Sequence, residues 1–285
     1  MKKYCFIILF FTSLTSFSQS FVDTYKFSEY LFEKKLYSDL IYHLHSVDTS
    51  YEWSISQNDS LNYLLGLTYY SRKELASSVK YFSKVSSLSP YYYKSKFLQQ
   101  YNLAHLHDYE QADSVLNELP DKDSLVIALK NLENAGIALL RRDLEAFKNY
   151  ESGFEGKYYQ LSKQEENLSL LAHKIQTEKK KSPVVAGVLS GVVPGLGKIY
   201  AGKVGQGVVI FLQQLAFGLQ AYEGYRKNGF ESRQLYIFGG IFTLFHVGNI
   251  WGSVLSVKIK SMEVNDQINN SILFNMHIPI RTIYN

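Results

Sequence analysis

Residues 59–90 read DSLNYLLGLTYYSRKELASSVKYFSKVSSLSP, and the order of Leu65, Gly66, Tyr69, Ser78, Phe82, Val85 and Pro90 within them decides the fold. Apolar residues recur at intervals of three and four, which is the period of an amphipathic helix. No proline interrupts the chain between Phe21 and Ser89. The stretch therefore predicts consecutive amphipathic helices, with Pro90 ending the second of the pair.

A shift of 34 residues brings Ala112 onto the small position of Ser78, Leu116 onto that of Phe82, and Pro120 just past the end. Tyr109-Glu110-Gln111-Ala112 then opens a second helix, as do Tyr37-Ser38-Asp39-Leu40 before it and Leu144-Glu145-Ala146 after it. Over residues 19–150 the chain resembles the tetratricopeptide-repeat family, whose helix pairs repeat with this period. The resemblance implies that Gly66 and Ser78 sit where two helices cross, with Tyr69 and Phe82 filling the space between. It also implies a superhelix whose concave face, lined by the first helix of each pair, binds peptides or protein segments.

The expected lining is Asn62, Tyr63, Tyr69, Tyr70, Lys96, Gln99, Gln100 and His107, all large and able to hydrogen-bond. Tyrosine suits such a surface because its ring buries area while its hydroxyl finds a partner. The competing assignment for each tyrosine is packing between helices.

The array offers no catalytic set. His43-Leu44-His45 and His105-Leu106-His107 place their imidazoles two apart, so on a helix they point in different directions. A helical zinc site spaces its ligands by three or four, and no third ligand joins them. Glu110, Asp113, Glu118, Asp121 and Asp123 gather around a turn, where carboxylates cap helices or meet solvent. No metal, cofactor or enzymatic activity is expected.

At the N-terminus Lys2 and Lys3 precede an apolar run from Tyr4 to Phe11, and small residues lead to Ser18. This is a secretory signal pattern, with cleavage expected after Ser18. Cys5, the single cysteine, would leave with it. Aromatic residues make up 15% of the chain and charged residues 20%, which excludes a disordered or fibrous protein. A mean hydropathy of -0.14 excludes one embedded in lipid throughout. The net charge of +4 is concentrated: residues 182–261 hold seven basic residues against Glu223 and Glu231. That is not the footprint of a nucleic-acid binder.

Residues 151–182 read as a closing helix, with Leu161, Leu168, Leu171 and Ile175 as its stripe, followed by the basic linker Lys179–Lys181. From Pro183 the composition turns apolar and glycine-rich. Residues 183–203 are too short to cross a bilayer and predict an interfacial or re-entrant segment, while 204–222 and 235–255 have spanning length. At Pro194-Gly195-Leu196-Gly197-Lys198-Ile199-Tyr200-Ala201-Gly202 the chain resembles the TM2-domain proteins and related bacterial membrane families, over roughly residues 182–256. Gly187, Gly191 and Gly195, and Gly248 with Gly252, recur every fourth residue, a spacing that favours helix packing in lipid, between copies or within one chain. Gly197, Tyr200 and Gly202 complete the expected packing set, and His246 and Asn249 are expected to meet the glutamines of the preceding span.

The tail 262–285 alternates around Ile272–Ile280 and predicts either a short strand or pairing with the repeats. The whole predicts an all-α protein: a signal peptide over 1–18, a helical solenoid, and a membrane hairpin over 183–261. It would be an adaptor in a bacterial inner membrane with its repeats in the periplasm, meeting protein partners and lipid. The alternatives are a component of a membrane assembly or transport complex, which would form homo-oligomers, and an enzyme.

Overall fold

The computed structural model describes residues 20–48 and 53–284; the expected signal segment 1–18, with Cys5, lies outside these described residues. Among them the chain is all-helical and contains no strand. It divides into two compact units, one joining the described part of Met1–Ser169 to Leu273–Asn285, the other comprising Leu170–Ile272.

The first unit is built from four pairs of helices, the first of each pair the longer. These are α1 (Phe21–Glu33) with α2 (Tyr37–Asp48), α3 (Ile55–Ser71) with α4 (Leu75–Phe82), α5 (Tyr92–His105) with α6 (Tyr109–Asn117), and α7 (Ser124–Leu140) with α8 (Leu144–Glu151). Helix α9 (Tyr159–Thr177) follows. The starts are chemically marked. Ser54 and Gln57 form a capping box on α3, and Asp108, Asp123 and Asp143 accept from the backbone N–H of Gln111, Val126 and Ala146.

Every turn inside a pair uses the same device. Lys35, Lys73, His107 and Arg142 each adopt a left-handed backbone, with φ of 58°, 62°, 61° and 63°, and none is glycine. One left-handed residue after a helix reverses the chain within a short connection. Lys73 and His107 stand 34 residues apart.

The crossing of α3 and α4 is closely packed. Ser78 Oγ donates to the Gly66 carbonyl at 2.8 Å, and Asn102 Nδ2 of α5 donates to Ser78 Oγ at 2.9 Å. The fully buried Phe82 ring lies against Gly66, where a Cβ would come within 2.5 Å of it. Helix α4 stops at Phe82, well before Pro90; the loop that follows is held by buried Asp59, which accepts from Ser86 N at 2.9 Å and Ser86 Oγ at 2.5 Å. Leu31, Leu40, Leu44, Leu61, Leu64, Leu65 and Tyr81 form a core shared by α1 to α4.

The second unit contains α10 (Pro183–Val192), α11 (Leu196–Tyr200), α12 (Val204–Asn228) and most of α13 (Arg233–Ile283). Helices α12 and α13 are long and apolar enough to cross a membrane. At ten residues, α10 rises only about 15 Å. Helix α13 runs through the tail, so the strand alternative for 272–280 is replaced by helix. Ile268, Ile272, Met276 and Ile280 are buried at four-residue intervals, while Phe274 between them is 63% exposed.

Replacing Gly66 by Ala is expected to destabilise the first unit by about 1–3 kcal/mol, because the Phe82 ring has no free space to yield into. Urea unfolding followed by circular dichroism measures this, and an unchanged midpoint would show that the crossing is looser than described.

Candidate functional site

The long helices α3, α5, α7 and α9 each contribute to one face, and the end of α13 lies on it. Tyr70 Oη of α3 and His277 Nε2 are 2.6 Å apart. The His277 ring stacks on Tyr101 of α5, with centroids 4.8 Å apart and planes 16° from parallel. Met276 packs where a Cβ on Gly136 of α7 would stand. Asn167 Nδ2 of α9 donates to Asn275 Oδ1 at 2.8 Å, and Tyr284 sits 5.9 Å from Phe97 of α5. The expected groove therefore has an occupant, and it is this chain's own C-terminal helix.

The eight residues assigned to the groove divide accordingly. Tyr70 touches the occupant. Tyr63 is 6% exposed and stacks on Tyr91 at 4.3 Å, so it packs between helices instead of lining a groove. Tyr69 likewise stacks on Tyr81 and reaches His45 at 3.2 Å, against the core of the first two pairs. Both are corrections with one cause: neighbouring positions on a helix differ by about 100°, and only Tyr70 is turned toward the tail.

Asn62 and Lys96 are half-buried, the ammonium of Lys96 lying 3.5 Å from Gln99 Oε1. Gln99 and Gln100 are buried, and neither amide atom of Gln100 has a hydrogen-bond partner among the described residues. His107 is also corrected. It occupies the left-handed turn after α5, exposed, with Nδ1 at 2.8 Å from Tyr109 Oη. His105, by contrast, reaches Tyr101 Oη at 2.8 Å on the side of the tail.

Sequence reasoning also missed Glu133 of α7. It is fully buried with neither carboxylate oxygen hydrogen-bonded among the described residues, and burial raises its carboxyl well above the usual value. It stands close enough to Tyr101 to push that phenol further up, beyond the effect of burial. Burial lowers the imidazoles of His105 and His277, and the nearby charges of His107 and Arg281 respectively add to it. Beneath the tail, burial thus favours the neutral form of the acid, the imidazoles and the phenols alike. Among the described residues no group of three or more His, Cys, Asp or Glu is placed to hold a metal ion. The acidic residues at the α6–α7 turn are engaged in ion pairs and capping: Asp113 with Arg141 at 2.6 Å, Asp121 with Lys130 at 2.7 Å, and Asp123 as the cap of α7.

In the second unit the glycines are used inside the chain. Gly187 and Gly191 face Val254 and Ile250 of α13. Gly195 lies beyond the end of α10, with φ of 88°, so it is not part of a helical stripe; a side chain there would strike the Gly207 carbonyl. Gly197 packs against the Ala186 carbonyl and beside Ser190, whose Oγ accepts from Gly197 N and donates to Ser253 Oγ at 2.7 Å. Tyr200 Oη accepts from Ser182 N at 3.1 Å, and Gly202 turns the chain with φ of 90°. Gly252 meets the Lys198 side chain, whereas Gly248 has nothing within 4 Å of an added Cβ. His246 donates to the Gly191 carbonyl at 3.2 Å instead of meeting a glutamine, and the Asn249 amide is buried without a partner among the described residues.

Two outcomes are expected. A raised folded-state carboxyl means that the unfolded chain loses its proton first, so stability falls as pH climbs from the ordinary carboxyl value toward the raised one. Glu133→Gln removes that loss, by about 1.4 kcal/mol for each unit of the shift. Its gain in melting temperature over the parent should grow as pH rises above the ordinary carboxyl value; a constant difference would mean that burial does not raise the Glu133 carboxyl. Gly195→Ala should abolish the monodisperse detergent-solubilised protein, while Gly248→Ala leaves it intact, as size-exclusion chromatography would report.

No described protein family, no curated protein and no solved structure matches this chain.

Proposed function

We propose that this chain is an exported, membrane-anchored adaptor of the tetratricopeptide-like kind, whose long-helix face recognises amphipathic helical segments of protein partners. The observation that carries the proposal is the occupant of that face. Met276, His277 and Tyr284 seat themselves on Gly136, on Tyr70 with Tyr101, and on Phe97. Apolar anchors at helical spacing, combined with a few directed hydrogen bonds, are the features of helix-in-groove recognition. The tail then competes with a partner, and apparent affinity falls by the fraction of molecules in which the tail is docked. The His–Tyr cluster and the buried Glu133 belong to the face that helix covers, which favours a binding surface over an enzyme's open site.

Orientation follows from connectivity. The tail and the repeats belong to one compact unit, so they lie on the same side of a bilayer and the number of crossings between them is even. Helices α12 and α13 supply two. Their exposed apolar side chains, among them Leu212, Leu219, Leu244 and Trp251, suit lipid. Export of the N-terminus puts repeats and tail in the periplasm of a bacterial cell and leaves Arg226, Lys227 and Arg233 at the cytoplasmic face, as the positive-inside rule prefers.

The test is in-cell crosslinking and capture of the tagged full chain, comparing the parent with Met276→Asp/Ile280→Asp. Releasing the tail should raise the yield of a discrete partner several-fold, and an added peptide of residues 268–284 should compete that partner away. Equal yields, indifferent to the peptide, would make the tail a permanent part of the fold and overturn the adaptor assignment of this face.

A further inference from the structure

A cavity of about 240 Å³ opens in the second unit where α9 ends and the apolar part of α13 gives way to polar residues. Lys179, Lys180 and Lys181 line it from the linker and Lys260 from α13, against a single acid, Glu178. Its floor is apolar: Ala201 and Val257 are 2% and 3% exposed. The lysines are not spent equally. Lys181 Nζ donates to the Tyr200 carbonyl at 2.7 Å and lies over that ring, and Lys260 pairs loosely with Glu263 at 3.4 Å. Lys179 and Lys180 have no ion pair among the described residues.

Four like charges around one concave site repel each other unless an anion shares the space. An apolar floor beside a cationic rim, next to the ends of membrane-length helices, is the environment of a phosphate between acyl chains and water. We infer that this cavity is a binding site for a phosphate-bearing anionic headgroup, held by Lys179, Lys180 and Lys260, with Lys181 fixed by Tyr200 to shape the rim. The inference rests on the membrane assignment of α12 and α13 and is independent of the adaptor assignment. It also gives the three-lysine run a purpose on the exported side, where the positive-inside rule disfavours it.

The test uses the detergent-solubilised full chain, native mass spectrometry and thermal unfolding, with phosphatidylglycerol, phosphatidylcholine and soluble glycerol 3-phosphate as probes. The variant is Lys179→Gln/Lys180→Gln/Lys260→Gln, which spares the structural Lys181. Its charge-matched control, Lys26→Gln/Lys34→Gln/Lys148→Gln, removes three exposed lysines of the repeats. The parent and the control should retain phosphatidylglycerol over phosphatidylcholine, and the variant should bind it on the order of a hundredfold more weakly. Equal protection by glycerol 3-phosphate, lost in the variant, supports the same site with a soluble source. No preference for phosphatidylglycerol or glycerol 3-phosphate, or identical behaviour of variant and control, overturns the site. A chain that stays in solution without detergent overturns the membrane assignment instead, and the glycerol 3-phosphate arm still reads the cavity.

Discussion

Helix pairs laid side by side bury the face each presents to its neighbour and leave one face of the long helices uncovered, and the end of α13 covers it here. Several features of the long helices follow from that contact. Gly136 is small because Met276 fills its place, Tyr70 and Tyr101 have partners because His277 arrives between them, and Glu133 and the buried amide of Gln100 lie in the same array of long helices. The polar cluster is costly to bury with so few internal hydrogen bonds. Burial favours the neutral form of its members, which lowers that cost: the imidazoles resist charging in acid, and the carboxyl resists charging in base.

Much of this was legible in residues 59–90. Gly66, Ser78 and Phe82 fix one crossing, and the helices beginning at Leu75 and Tyr109 keep the 34-residue frame, while those beginning at Tyr37 and Leu144 depart from it by four residues and one. The tail was not legible, for a reason of arithmetic. Ile272, Met276 and Ile280 satisfy a period of two as well as a period near four, and Ile278 fills the alternation. Only Phe274, apolar by type yet exposed, separates helix from strand, and its exposure is not a property of the sequence. The left-handed turns escaped for a different reason. Non-glycine residues seldom adopt that backbone, so nothing in the residue types marks Lys73 or His107 as the turn, and His107 is expected on the groove instead.

The second unit rests on close backbone approach. Gly195 and Gly207 meet without side chains between them, and Ser190 links Gly197 to Ser253 across three segments. Glycine spacing alone cannot distinguish contacts within a chain from contacts between copies. Here four of the glycines are consumed internally, which leaves the region of Gly239, Gly240 and Gly248 as the unencumbered part of α13.

The first unit joins the described part of residues 20–169 to residues 273–284, more than a hundred residues further along the chain. That end of α13 leaves the ribosome only after the apolar stretches of α12 and α13 have been made, so the long helices of the first unit stay bare on one face through that interval. A chain shortened before residue 273 would keep α1 to α8 and lack Met276, His277 and Tyr284, the side chains that cover that face.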